Sequence, residues 1–284
     1  MCGVNREIAL GYCRMPSDLY IARAALHHWE EPIISGDRGS GTIFFAGCSL
    51  GCVFCQNHEI SKGARGRLVS IDRLAQIMLE LEEKGAHNIN LVTPTHYIPS
   101  IRSAILEAKK QGLSVPIVYN TGSYDRVEPI RSLEGLVDVY LPDLKYYLPK
   151  TSGDLSNARD YPEVARAAIS EMVRQTGSVK LDNNGMITRG TVVRILLLPG
   201  HVAEAKLSLK YLYDTYKDDV YISLMNQYTP MKDMPPPLNR CVTKNEYNQL
   251  VEYAISLGLK HAFTQEGGTA KESFIPNFDG EGVF

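Results

Sequence analysis

"GTIFFAGCSLGCVFCQN", residues 41–57, decides how this chain is to be read. Its first half is β-branched and aromatic (Thr42, Ile43, Phe44, Phe45), the composition of a buried strand. Its second half places Cys48, Cys52 and Cys55 at C-x3-C-x2-C spacing. A strand that runs into a cysteine-bearing loop sets two expectations. The loop sits at the carboxyl end of a strand, and its thiols serve metal or redox chemistry.

Outward from this stretch, apolar β-rich runs alternate with helical patterns. "SIDRLAQIMLELEEKG" (70–85) carries Ile71, Leu74, Ala75, Met78 and Leu81 at helical spacing. "NINLV" (88–92) reads as a second strand. A helix follows from Pro99, with Ile101, Ala104, Ile105 and Ala108 on one face and Gly112 past its end. "VPIVYN" (115–120) and "LVDVYL" (136–141) read as strands three and four, with a short helix between them. A helix over 163–177 and a hairpin over Asn184-Gly185 come next. "TVVRILLLPG" (191–200) is continuous and apolar, as a buried parallel strand should be. A helix over 203–216, a sixth strand at 220–228 and a helix over 243–258 complete the series. Six β/α units predict an α/β fold with a parallel sheet, either an open doubly wound sheet or an incomplete barrel. In both, chemistry belongs at the carboxyl ends of the strands.

Bulk composition narrows the class. The chain has 284 residues, 44% of them apolar and 22% charged, with a formal net charge of −2. Nothing in that balance calls for a nucleic-acid or membrane partner. No apolar run is long enough to span a bilayer. The N-terminus lacks a secretory pattern, since Glu7, Tyr12 and Arg14 interrupt any apolar core, so a cytoplasmic location is expected. The six cysteines (the others are Cys2, Cys13 and Cys241) are then not a disulfide framework.

Three thiolates on one loop can converge on an iron–sulfur cluster. A four-iron cluster held by three cysteines keeps one iron open, by the logic that leaves a substrate position on catalytic zinc. Zinc itself, with His58 as a fourth ligand, and unligated core cysteines are the other readings. Cys2, Cys13 and Cys241 read as plain thiols.

"CSLGCVFCQN" resembles the signature of the radical S-adenosylmethionine (SAM) superfamily, in which the residue before the third cysteine is usually aromatic, here Phe54. Beyond the signature, "HHWEEPIISGDRGSGTIFFAGCSLGCVFCQN", "INLVTPTHY", "YNTGSYD", "DVYLPDLKYY" and "ISLMNQYTP" resemble the branch of pyruvate formate-lyase activating enzyme, closest to its PflX-type iron–sulfur proteins. The resemblance implies a partial (β/α)6 TIM-like barrel, here over 41–258 after an N-terminal extension over 1–40, and from its position alone the tail over 259–284 is expected to pack across the barrel. It implies a [4Fe–4S] cluster on Cys48, Cys52 and Cys55 whose open iron chelates SAM. One electron, from a reductant such as flavodoxin or ferredoxin, would cleave SAM to a 5′-deoxyadenosyl radical that abstracts hydrogen from a substrate.

The resemblance also assigns residues. Phe54 belongs to the signature. Activating enzymes carry Gly-Gly-Glu after strand two to address the methionine amino group; here that place reads Thr93-Pro94-Thr95-His96, leaving Thr95 as the hydrogen-bonding group and His96 as a substrate-facing acid or base. Asn120 and Gly122 after strand three would meet the cofactor's ribose or carboxylate. Asp143 and Lys145, the family's Asp-x-Lys after strand four, would face the same pocket, with Lys145 on the methionine carboxylate. Arg194 on strand five needs a partner, either the cofactor carboxylate or an internal acid. Gln227 stands near the place of the family's strand-six His and would read the adenine edge or cap the barrel end. Apart from the resemblance, His27, His28, Trp29, Glu30 and Glu31, just before strand one, are expected to line the entrance, dock a protein partner or form a packed collar. The expected function is activation of a protein of the glycyl-radical type. The alternatives are radical modification of a small molecule or peptide, and an iron–sulfur electron carrier.

Overall fold

A computed structural model describes residues 2–62, 65–265 and 276–284. The elements in chain order are β1 (Leu19–His27), α1 (Pro32–Ser35), β2 (Ser40–Phe45), α2 (His58–Ser61), β3 (Arg67–Val69), α3 (Ile71–Glu83), β4 (Ile89–Val92), α4 (Ile98–Lys110), β5 (Ile117–Thr121), α5 (Val127–Arg131), β6 (Val139–Pro142), α6 (Pro149–Ser156), α7 (Tyr161–Thr176), β7 (Lys180–Leu181), β8 (Ile187–Leu196), α8 (Val202–Tyr216), β9 (Tyr221–Met225), α9 (Lys244–Ser256) and β10 (Ala262–Thr264).

The strands form one sheet in the order β10-β9-β8-β6-β5-β4-β2-β1-β3, with β7 folded back on β8 as the expected hairpin. From β2 to β10 every neighbouring pair on that path is parallel. The six expected units are β2, β4, β5, β6, β8 and β9. The path is open: among the described residues no pairing joins β10 to β3. This is the partial, TIM-like barrel.

Strands β2, β4, β5 and β6 are buried at every residue, as strands covered on both faces must be. Helix α3 buries Leu74, Ala75, Ile77, Met78 and Leu81 on one stripe, and its Ser70 hydroxyl caps the Arg73 N–H at the start. Helix α9 begins with a reciprocal capping box between Thr243 and Glu246.

Several elements were not expected. β10 adds a seventh parallel strand beside β9. β1, inside the 1–40 extension, pairs antiparallel with β2 from Ile21↔Phe45 to His27↔Ser40, and β3 pairs with its outer edge. Helix α6 lies between strands four and five. The last nine residues run along β1: the Ala24 N–H donates to Glu281 O at 2.8 Å and the Gly280 N–H to Ala22 O at 3.1 Å. Phe278 meets Phe44 edge-on at 5.4 Å, and Val283 is buried in the core. Residues 266–275 of the expected cross-barrel tail lie outside the described residues. Among the described residues no helix is long and apolar enough to cross a membrane.

Candidate active site

The loop after β2 is shaped by two glycines. Gly47 stands at φ +86°, where an added Cβ would come within 2.8 Å of the Cys13 carbonyl oxygen; Gly51 stands at φ +72°. The loop is tied down by Gly47 N–H to Ile60 O (2.8 Å) and Val53 N–H to Leu155 O (2.9 Å). The Leu50 N–H donates to the Cys48 sulfur at 3.4 Å. Cys48, Cys52 and Cys55 all line one cavity of about 240 Å³.

That cavity gathers the chemistry. Phe54, Thr95, Asn120, Gly122, Asp143, Lys145, Arg194 and Gln227 line it together with the three cysteines. They come from the ends of β2, β4, β5, β6, β8 and β9, which adjoin through parallel pairing. The carboxyl-end rule therefore holds for this sheet.

The thiols are electrostatically aware of one another. Burial, then the neighbouring Cys52 and Cys55, push the Cys48 thiol up to about 12. Burial and then Cys52 raise Cys55. A cationic centre is what would make three such thiolates tolerable together. Among the described residues no three His, Cys, Asp or Glu side chains form a group that could hold one metal ion. His58 does not line the cavity, which removes the fourth ligand from the zinc reading. A cluster takes each thiolate on a different iron and so suits ligands spread around a cavity wall. The donor set fits a cluster.

A part-buried charge network faces the thiols. Arg194 Nε donates to Asp143 Oδ1 at 2.7 Å, Nη1 to Glu30 Oε2 at 3.1 Å and Nη2 to Asn120 Oδ1 at 2.7 Å. Lys145 Nζ donates to Asp143 Oδ2 at 2.6 Å. Arg194 is thus met by internal partners here. Burial raises the Glu30 carboxyl against the pull of Arg194. At Asp143, burial also works upward, but Arg194 and Lys145 outweigh it and hold the carboxyl below the ordinary range. Glu30, one of the residues expected at an entrance or collar, lines the cavity and joins the charge network, a role the sequence did not show: its Oε1 accepts from Asn90 (3.0 Å) and Asn120 (3.2 Å).

The remaining expected residues are held firmly. Phe54 packs edge-on to Tyr146 at 6.3 Å and Tyr228 at 6.1 Å. A Cβ on Gly122 would sit 3.2 Å from Lys145 Cε. The Thr95 hydroxyl lies 3.4 Å from that of Thr121, which donates to buried Asp125 at 2.6 Å. The Gln227 side-chain oxygen accepts from Gln265 at 3.1 Å. Thr93 sits at φ +59°, in the left-handed region that favours glycine.

His96 is placed elsewhere. It does not border the cysteine cavity but an adjoining one of about 590 Å³. Its Nε2–H donates to Ala46 O at 2.8 Å, and burial, aided by Arg6, lowers its pKa to about 4. It is a neutral imidazole at physiological pH.

Residues 42–205 match the radical SAM superfamily. The chain belongs to that superfamily. Radical SAM proteins use SAM and an iron–sulfur cluster, and the cysteine loop lies inside the matched region. An uncharacterized protein of Methanocaldococcus jannaschii is 28% identical over 263 residues, covering 89% of this chain and 72% of its own. A radical SAM methyltransferase from Sphaerobacter thermophilus is similar in structure, with TM-score 0.55, 16% identity, and coverage of 80% of this chain and 66% of its own. SuiB of Streptococcus suis, bound to the precursor peptide SuiA, is similar with TM-score 0.53 and 12% identity, over 79% of this chain and 48% of its own. The native enzyme anSMEcpe, with bound SAM and a peptide, gives TM-score 0.53 and 12% identity, over 77% of this chain and 60% of its own. The chain thus spans about half the length of SuiB. At these identities the structures share the fold.

Proposed function

We propose that this chain cleaves SAM reductively at a [4Fe–4S] cluster on Cys48, Cys52 and Cys55 and directs hydrogen abstraction at a substrate held beside the cluster. The observation that carries the reading is one cavity lined both by the three thiols and by Asp143, Lys145 and Arg194. When bound, cluster and SAM supply a 5′-deoxyadenosyl radical. The protein's part is to position and to exclude.

The three cysteines would hold the cluster, with the Leu50 N–H on the Cys48 sulfur as a hydrogen bond that tunes it. Lys145 is the cation nearest the thiols in effect, since its charge lowers Cys55. It and Arg194 are the groups suited to the SAM carboxylate, with Glu30 and Asp143 as the anions suited to its amino and ribose groups. Buried Phe54 and Met225, with part-buried Leu196, at the wall keep water away from the reacting atoms. A flavodoxin or ferredoxin is the reductant this chemistry calls for.

Two substrate classes compete. The resemblance to activating enzymes, closest to the PflX-type proteins, supports a protein substrate of the glycyl-radical type. Peptides are bound in two of the structures of similar fold. The geometry favours the other class: the space beside the cluster is a cavity of about 590 Å³, within the ordinary range of small-molecule sites. Anaerobic reconstitution, a strong reductant and SAM should yield 5′-deoxyadenosine from wild type. Equal product from Cys48→Ala would remove the cluster from the mechanism.

A further inference from the structure

We infer that the cavity adjoining the cluster is the substrate site and that it takes a small anionic molecule, a carboxylate or a phosphate ester. This deepens the radical SAM reading and rests on it for the fate of the ligand, though not for the binding itself.

The cavity lies on the active face. Ser49, Leu50, Thr95 and Tyr124 line both it and the cysteine cavity, so the two share a wall made partly of the cluster loop. The other walls come from the N-terminal segment, the start of α5 and the turn after α6. A ligand there would lie against the loop that bears the cluster, on the side away from the Arg194 network.

Its charge is one-sided. Two arginines, Arg6 and Arg126, line it, and among the described residues no aspartate or glutamate does. Arg6 spends its donors on neutral carbonyls: Nη1 on Pro16 O at 2.9 Å and Nη2 on His96 O. Arg126 is exposed and makes no ion pair among the described residues. The nearby acids are engaged elsewhere. Asp125 is buried and accepts from Tyr119 (2.9 Å) and Thr121 (2.6 Å), and Asp160 accepts from the Tyr124 hydroxyl at 2.7 Å. Two guanidiniums with no carboxylate between them are a site for an anion, and their planar forks suit carboxylate and phosphate alike. The cysteine cavity is the contrast, since there each cation already has its acid.

The rest of the lining adds selectivity. Leu50 and Ile98 give apolar surface, while Tyr12 and Tyr124 give aromatic walls. His96 lines the cavity as a neutral ring, and its buried Nδ1 has no hydrogen-bond partner among the described residues. With Nε2–H committed to Ala46, that nitrogen is an acceptor suited to a hydroxyl or amide donor on the ligand.

The test is titration calorimetry on the reconstituted holoenzyme with SAM present, using three probes that share a ring and differ in charge: benzoate, phenyl phosphate and benzamide. At least one anion should bind tenfold or more tightly than benzamide, and the tighter of the two says whether carboxylate or phosphate is the natural group. Arg126→Met should weaken that anion at least tenfold, with Arg126→Lys recovering part of the loss. Because Arg126 is exposed, the variant leaves the fold intact even where an Arg6 variant does not. Benzamide binding as tightly as both anions, no binding of any probe, or unchanged affinity in Arg126→Met would overturn the inference. Failure of the radical reading shows separately, as wild type that makes no 5′-deoxyadenosine.

Discussion

Arg194 Nε donates to one oxygen of Asp143 at 2.7 Å while Lys145 Nζ donates to the other at 2.6 Å, so a single part-buried carboxylate holds two cations. Breaking a part-buried pair from one side leaves uncompensated charge and costs about 2–3 kcal/mol, less than a fully buried pair would. Asp143→Asn should therefore lose stability of that order in urea unfolding near neutral pH. Asp143 has a depressed pKa in the fold. Its contribution is present above the unfolded value of about 3.9 and is lost as pH falls through the lower folded value. The gap between wild type and variant should close only in acid.

His96 acts in the same direction, at higher pH. Its folded pKa, about 4, lies below the ordinary 6.5 of histidine, because burial penalises the imidazolium. Between those values the unfolded chain binds the proton and the fold does not, so stability falls as pH drops from 6.5 towards 4. At about 1.4 kcal/mol per unit the loss is of order 3 kcal/mol. His96→Gln should flatten that slope, read from unfolding midpoints across the acid range.

Gly122 tests the positioning of Lys145. A Cβ there would press on Lys145 Cε at 3.2 Å, tighter than ordinary contact. Gly122→Ala should cut the rate of 5′-deoxyadenosine formation by about tenfold, equivalent to 1.4 kcal/mol, while shifting stability by less than about 1 kcal/mol. An unchanged rate would take Lys145 out of the cofactor site.

Thr93, β-branched and at φ +59°, holds a conformation that costs such residues about 1–3 kcal/mol. Thr93→Gly should raise stability by about 1 kcal/mol, since the greater freedom of unfolded glycine offsets part of the relief. Thermal unfolding reads the sign directly.

The cluster ligands separate from the other thiols by iron content. Cys48→Ala, Cys52→Ala and Cys55→Ala should each lose most of the bound iron and sulfide after anaerobic reconstitution. Cys241→Ser, exposed and outside the cavity, should keep it.

The β/α series was legible because buried parallel strands such as Thr191–Leu196 and one-sided helices such as α3 write their periods into the chain. β1 was not: "LYIARAALH" interrupts its apolar run with Arg23, which reaches outward to Asp279 and Glu281 near the far end of the sequence. α6 carries a glycine and two serines, weak helix formers held by tertiary packing. At the site, the residues after each strand were readable from the carboxyl-end rule. The pairing of Glu30 with Arg194 was not, because a glutamate before the first strand shows only that it can line an entrance or a collar. The one signal was Arg194, a charge in an apolar strand that required an anion. That anion lies 164 residues away, a pairing only the fold makes. Thr95 and His96 are adjacent in sequence, yet only Thr95 borders the cysteine cavity while both border the adjoining one, a division that only the fold makes.

The central claim is an iron–sulfur cluster with one iron left open for SAM. The measurement that meets it most directly is the electron paramagnetic resonance spectrum of the reduced, reconstituted protein with and without SAM. Three-cysteine ligation predicts a [4Fe–4S]⁺ signal whose shape and g-values change when SAM is added, and no such signal in Cys48→Ala. A cluster signal indifferent to SAM, or one that survives Cys48→Ala unchanged, would contradict the account.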